Sequence, residues 1–248
     1  MGRARTSSGL SDASPTWVIL PTYDEAETIE PLVDAVRENV PEPRRVFVVD
    51  DSSPDGTGEI ADRLAAEHED VAVLHRPAKL GLGPAYVAGF GAALHGGAQL
   101  IVQMDADFSH DPAELGRLID AARDADLVIG SRYVPGGRVT DWGSGRLAIS
   151  RGGSRYARAM LGLDVHDMTS GFKCWRREAL EEIGLDSVRS HGYAFQVEMT
   201  YRAHAAGFRV VEVPITFHDR RVGDSKMTGS IVLEAAWRIP LLRLRRRG

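Results

Sequence analysis

From Trp17 onward, short apolar runs alternate with segments whose apolar residues recur every three or four positions. The run TWVIL, closed by Pro21, predicts a buried strand, and Ile29, Leu32, Val33, Val36 and Val40 predict one face of the helix after it. RRVFVVDD, VAVLHR, LIVQMD and ADLVIGSR predict further strands. Between them, IADRLAAEHE, a stretch over about residues 84–94 and PAELGRLIDAARD predict helices. Continuous apolar strands alternating with amphipathic helices predict a mostly parallel sheet covered on both faces, a doubly wound α/β unit over about residues 16–133.

The second half is less regular. YVPGGRVTDWGSGR reads as a polar, glycine-rich loop whose length suggests functional mobility. A helix over about residues 151–161 follows, then TSGFKCWRREALEEIG, the helix FQVEMTYRAHAAG and the strand FRVVEVPITFHDR. From Thr228 a last helix carries Ile231, Val232, Ala235, Ala236 and Ile239 along one side and ends in LLRLRRRG. Residues 1–15 are small, polar and basic, the composition of a mobile tail.

Composition narrows the classes. A chain of 248 residues, 43% hydrophobic and 26% charged, can bury one large core. Its formal charge of -5 argues against a nucleic-acid partner. The single cysteine, Cys174, cannot form an internal disulfide and suits a reducing compartment. Neither a signal-peptide core nor a run of about 20 apolar residues is present, so a cytoplasmic protein is expected.

Acids stand at two strand ends: Asp50 and Asp51 after VFVV, and Asp105 and Asp107 after LIVQM. In an open α/β sheet, ligands bind outside the carboxyl ends of the strands. Residues two apart in extended chain face the same way, so Asp105 and Asp107 can converge while Ala106 points elsewhere. Paired hard oxygens suit Mg²⁺ or Mn²⁺. The bland alternative is a helix cap, a job that Asp111 before Pro112 fits better. VVDDSSPDGTGEI also fits a phospho-receiver module, but Gly130, Ser131 and Arg132 stand where that module needs a lysine. KLGLGP offers backbone N–H groups to phosphate, without the third glycine of a dinucleotide fingerprint or a Walker lysine.

Seven stretches stand in one order: PTYDEAETIEPLV, VVDDSSPDGTGEIAD, KLGLGPAYVAGF, MDADFSHDP, GSRYVPGG, TSGFKCWRREAL, and the run from Asp219 to Lys226. Together they resemble the dolichyl- or polyprenyl-phosphate mannosyltransferases, a branch of the family 2 glycosyltransferases with a GT-A fold. The resemblance spans about residues 17–229 and implies an acceptor half over about residues 134–229. It implies inverting transfer of mannose from GDP-mannose to the phosphate of a membrane polyprenol, or of glucose or another hexose to the same acceptor. By position it implies donor contacts at Pro21, Thr22, Tyr23, Glu25, Asp50, Asp51, Asp55, Lys79, Gly81, Asp105 and Ala106. It places metal ligation on Asp105 and Asp107, with Ser109 where some members use glutamine, and phosphate handling on Arg132, Arg220, Ser225 and Lys226. Asp107, Arg132, Arg220 and Lys226 are thereby the candidate catalytic set. Asp24 replaces the usual asparagine of the first turn.

Other readings stay open. Glu198 is a base or a structural acceptor; Trp142 anchors its loop or touches a lipid; His110, His166, His191 and His218 lack metal-ligand spacing. The basic residues at 132, 220 and 226 also suit plain surface cover. The segment 230–248 is an interfacial helix whose Arg243, Arg245, Arg246 and Arg247 meet anionic lipid, or a solvated tail, or a separate membrane protein holds the enzyme at the bilayer.

Overall fold

The computed structural model describes residues 14–188, 190, 192–219, 239–240 and 242–243. Its elements run β1 (Thr16–Thr22), α1 (Ile29–Asn39), β2 (Arg44–Asp50), α2 (Thr57–Glu67), β3 (Val71–His75), α3 (Leu82–His95), β4 (Leu100–Gln103), α4 (Leu115–Ala121), β5 (Leu127–Ser131) and β6 (Arg138–Val139). They continue with α5 (Ser144–Leu161), β7 (Lys173–Arg176), α6 (Arg177–Glu182), α7 (Gly192–Ala205), β8 (Val210–Pro214) and β9 (Thr216–Phe217). The main sheet has the order β3-β2-β1-β4-β7-β5-β8. All neighbours pair in parallel except β7, which runs antiparallel to both β4 and β5.

Alternation along the strands builds two cores. Trp17, Ile19, Phe47, Val49, Ile101, Ile129 and Trp175 face α3, α5, α6 and α7; Val18, Leu20, Val46, Val48, Val102, Val128 and Cys174 face α1, α2 and α4. Burial pushes the Cys174 thiol up to about 12, so it is inert packing.

Three local expectations change. PAELGRLIDAARD opens as a 3-10 turn over Pro112–Glu114, capped by Asp111 Oδ1 accepting from the Ala113 N–H at 2.9 Å, before α4 begins. The helix expected near residue 151 starts at Ser144, which shortens the polar loop. The strand FRVVEVPITFHDR breaks at Ile215: β8 stays in the main sheet, while β9 pairs with β6 in a separate ribbon.

The chain winds β1, β2, β3 to one side and then crosses to β4 on the other. The crevice therefore opens between the carboxyl ends of β1 and β4. β7 runs the opposite way, so its amino end, and the loop before it, arrive at the same edge. Sheet and cover fit closely on this side. A Cβ at Gly89 of α3 would stand 2.4 Å from Ile19 Cγ2. Gly89→Ala should lower stability by about 1–3 kcal/mol through overpacking, read as a lower denaturant midpoint at unchanged slope; an unchanged midpoint would contradict this packing.

Candidate active site

Four groups meet at the crevice. The first is the turn after β1. Asp24 adopts a left-handed φ of 59°, a conformation that Asp and Asn tolerate, so the replacement of asparagine keeps the turn. Its neighbours are clamped from the start of α2 and the loop before it: Glu25 N–H donates to Thr57 Oγ1 at 2.9 Å, and Ala26 N–H to Asp55 Oδ2 at 3.0 Å. Partial burial would raise the Asp55 pKa, but hydrogen bonds from Thr57 and the Ala26 N–H outweigh it and hold the carboxyl below its usual range. Asp55 thus shapes the turn after β1 from behind. Tyr23 lies beneath Lys79, whose ammonium stands 3.4 Å from the ring centre.

The second group is the acidic end of β2. Asp50 is buried and accepts from Thr22 Oγ1 at 3.3 Å and Ser53 Oγ at 2.6 Å. Asp51 is ion-paired with Arg76 and accepts from the N–H groups of Leu80 and Gly81 at 3.0 and 2.9 Å. Two of the backbone donors that KLGLGP offered to phosphate are therefore spent on a carboxylate, which fixes the entry to α3.

The third group is the loop after β4. The Ala106 side chain is packed into the apolar core, which leaves only its backbone to face the crevice. Asp105 is half-buried, and its Oδ1 accepts from the Tyr86 hydroxyl at 2.9 Å. Burial, reinforced by the Asp105 charge, raises the Tyr86 pKa well above that of a free phenol, so it remains a proton donor. Asp107 is buried, and its Oδ1 accepts from the Ser109 N–H at 3.0 Å. Phe108 between them takes a left-handed φ of 59°, a strained conformation for a bulky residue. The Asp105 N–H donates to His110 Nδ1 at 3.2 Å. Burial pulls the His110 pKa down, so a neutral ring stacked on Phe172 fits that accepting role.

No Lys or Arg among the described residues forms an ion pair with Asp105. The Asp105 carboxylate also has more acceptor capacity than its hydrogen bond from Tyr86 uses. That donor set fits a hard divalent cation. No cluster of three or more His, Cys, Asp or Glu able to hold a metal occurs among the described residues.

The fourth group is Arg132, at the end of β5. It is buried and bidentate to Asp167, with Nε and Nη2 each 2.7 Å from a carboxylate oxygen, and Nη2 also reaches Thr169 Oγ1 at 2.8 Å. Burial opposes its charge, but Asp167 outweighs the burial and keeps the guanidinium ionised. Asp167 is fully buried and was not anticipated from the sequence. Its own position is set by Glu212 of β8, which accepts from the N–H groups of His166 and Asp167 at 2.7 and 2.9 Å.

Nearby, β9 and β6 lay residues 216–219 over the acid loop. The His218 N–H donates to the Ser109 carbonyl at 3.1 Å, and Asp219 pairs with Arg146 of α5 at 2.8 Å. The chain entering the Asp219–Lys226 motif therefore starts beside Ser109. Arg220, Ser225 and Lys226 themselves lie outside the described residues, as does His191. Trp142 packs edge-on against Phe217 and beneath the Arg146 guanidinium, which makes it a loop anchor.

Glu198 of α7 is buried, accepting from Arg202 Nη2 at 2.6 Å and from the Ser190 N–H at 3.1 Å. Those partners give it a structural task. Beneath the acid loop lies a further polar network. Lys173 Nζ donates to the Gln196 carbonyl and Oε1 at 2.9 and 3.0 Å, and Gln103 Nε2 donates to the same Oε1 at 2.7 Å. Polar letters inside LIVQM and FKCW were the available signal, because a buried strand tolerates Gln or Lys only with partners.

Burial pushes the Lys173 pKa down to about 7, against an upward pull from Asp167. Unfolded lysine holds its proton to about 10.4. Between those values the folded chain binds fewer protons, so this position adds stability as pH rises from about 7 to 10 and loses it as pH falls back toward 7. Lys173→Met removes the linkage. The melting temperature of the wild type minus that of the variant should grow between about pH 6.5 and 9; a constant difference would contradict the depressed pKa.

An undecaprenyl-phosphate mannosyltransferase of Micrococcus luteus is 53% identical over 217 residues, covering 88% of this chain and 89% of its own length. A polyprenol monophosphomannose synthase of Mycolicibacterium smegmatis is 51% identical over 226 residues, covering 90% and 85%. Among solved structures, the glucosyl-3-phosphoglycerate synthase of Mycobacterium tuberculosis with Mn²⁺, UDP-glucose and phosphoglyceric acid superposes with a TM-score of 0.66 at 20% identity, covering 93% of this chain and 79% of that one. A mannosyltransferase of Pyrobaculum calidifontis with GDP-Man and Mn²⁺ gives a TM-score of 0.57 at 18% identity, covering 93% and 73%. Those two likenesses establish the GT-A type of fold. Residues 17–184 match glycosyl transferase family 2, and with relatives above 50% identity along most of its length the chain belongs to that family.

Proposed function

We propose that the chain is a divalent-metal-dependent mannosyltransferase that moves mannose from GDP-mannose to the phosphate of a polyprenyl phosphate, with inversion at the anomeric carbon. The observation that carries the reading is the 51–53% identity, along most of both chains, to proteins named for making polyprenyl phosphomannose. The site supports it in detail. An acceptor phosphate oxygen attacks the anomeric carbon, forming the new C–O bond as the bond to the GDP β-phosphate breaks and GDP leaves. The second pKa of a phosphate monoester is near 6, so the nucleophile is already largely ionised at neutral pH and needs no strong base. A Glu198 committed to Arg202 and Ser190 agrees with that chemistry.

Asp105 and Asp107 would hold Mg²⁺ or Mn²⁺, which when bound supplies positive charge against the departing diphosphate. The turn from Pro21 to Glu25, with Asp50, Asp51, Lys79 and Gly81 around it, forms the donor wall. Arg132 keeps a permanent charge at the acceptor side, where Arg220, Ser225 and Lys226 join it in this reading. The lipid acceptor places the enzyme on a membrane surface, either directly or through an anchoring protein, although no helix among the described residues is long and apolar enough to cross a bilayer. With one polyprenyl phosphate and GDP-mannose or UDP-glucose supplied in parallel, GDP-mannose should turn over more than about tenfold faster. The reverse preference would replace mannose by glucose in the reading.

A further inference from the structure

The buried side of α3 carries Gly83, Ala85, Tyr86, Gly89, Phe90 and Ala93, all small or hydrocarbon but for one hydroxyl. Tyr86 is wholly buried, and its ring stacks on Phe90, one helical turn on, at 5.7 Å and on Phe195 of α7 at 6.1 Å. Phenylalanine would fill that aromatic stack as well. The hydroxyl needs a different reason, because a buried O–H without an acceptor is costly. Among the described residues its only acceptor is Asp105 Oδ1, at 2.9 Å. The same residue is confined from other directions. The Asp105 N–H is fixed on His110 Nδ1 at 3.2 Å, and a Cβ at Gly171, in the loop before β7, would stand 3.2 Å from Oδ2 and 3.5 Å from Oδ1. Glycine at 171 therefore leaves the carboxylate the room it occupies. The entry to α3 is meanwhile pinned to the acidic end of β2, through the Leu80 and Gly81 N–H groups on Asp51. One helix thus ties the acids after β2 to the carboxylate after β4.

We infer that Tyr86 is a positioning residue for the transfer: its hydroxyl holds the Asp105 carboxylate in place for the divalent cation that Asp105 shares with Asp107. The inference rests on the proposed reaction, in which those two acids are the cation's ligands, and adds the group that sets one of them in advance. A carboxylate free to rotate would have to be ordered at every binding event. A hydrogen bond from a fixed phenol removes that freedom and occupies only part of one oxygen, so Oδ2 and the rest of Oδ1 stay available. Partners that hold a metal ligand from behind are worth about 10–100-fold in metal affinity.

The test uses the full chain and Tyr86→Phe, which keeps the ring and its stacking and removes only the hydroxyl. GDP affinity is titrated twice, at one fixed excess of Mn²⁺ and with the metal chelated, and the ratio measures the link between cation and nucleotide. Mn²⁺ should tighten GDP binding in the wild type. That tightening should shrink about tenfold in Tyr86→Phe, with the chelated value unchanged within about twofold. The Mn²⁺ concentration for half-maximal mannosyl transfer should rise about tenfold, while turnover at saturating Mn²⁺ stays within about threefold. A role in packing alone would weaken GDP equally under both conditions, and that result overturns the proposal, as does metal dependence equal to the wild type's. Should Tyr86→Phe fail to fold, Gly171→Ala carries the same prediction, since its methyl crowds Asp105 and leaves the hydroxyl in place; wild-type metal dependence there overturns the proposal equally. A wild type whose GDP affinity ignores Mn²⁺ overturns the cation reading and the proposal with it. A wild type with the expected metal link but no transfer of mannose overturns the proposed reaction alone and leaves the task of Tyr86 standing.

Discussion

Asp107→Asn should lower mannosyl transfer by about 10³-fold, equivalent to ~4 kcal/mol of transition-state stabilisation, with the fold intact. Asparagine keeps the volume of the side chain and an oxygen that can accept the Ser109 N–H, so the loop that presents it survives. In the proposed mechanism, what is lost is one of two anionic oxygen donors for the cation that would answer the leaving diphosphate. The loss also relieves repulsion between neighbouring carboxylates, so the melting temperature should hold or rise. Turnover at saturating donor and a thermal scan of the same preparation check both halves. Wild-type turnover in Asp107→Asn would remove the acid pair from the reaction. A cooperative loss of fold would move Asp107 to a structural role.

The second large effect is in stability. Asp167→Asn leaves the buried Arg132 without its counter-charge, and breaking a buried pair from one side costs about 3–5 kcal/mol. For a domain of this size that lowers the melting temperature by about 10 °C. Replacing both partners, Arg132→Leu with Asp167→Leu, should recover much of that stability, since the penalty comes from the orphaned charge rather than from the lost attraction. If Arg132 also serves the acceptor phosphate, the recovered protein remains inactive. A double variant with stability and turnover both restored would limit Arg132 to holding the loop before β7.

How far these residues could be read in advance depended on the range of their partners. Parallel strands and their covering helices were legible because each segment carries its own apolar period, and Asp105 and Asp107 were legible because strand-end acids stand out within a few positions. Long-range pairing was not. Lys173–Arg176 is a four-residue strand whose antiparallel place between β4 and β5 is written in neither neighbour, and a lysine inside it argues locally against burial. Arg132 was singled out for phosphate, yet its partner Asp167 stands 35 residues on, in a stretch with no periodic signal. The acids at 50, 51 and 55 were read as donor contacts. Their hydrogen bonds to Ser53, Gly81 and Thr57 depend on turn geometry that composition does not carry. The extent of α5 was hidden by its glycines, which read as loop until the packing of Ser150, Ser154 and Ala157 is seen.

Conversion of GDP-mannose labelled in the sugar, with a polyprenyl phosphate and Mn²⁺ or Mg²⁺, tests the account most directly. The full chain should move the label into an organic-soluble lipid phosphate, chelation of the metal should stop the transfer, and Asp107→Asn should lack it with metal restored. An organic phase without label under every metal condition, from a folded wild-type protein, would contradict the account.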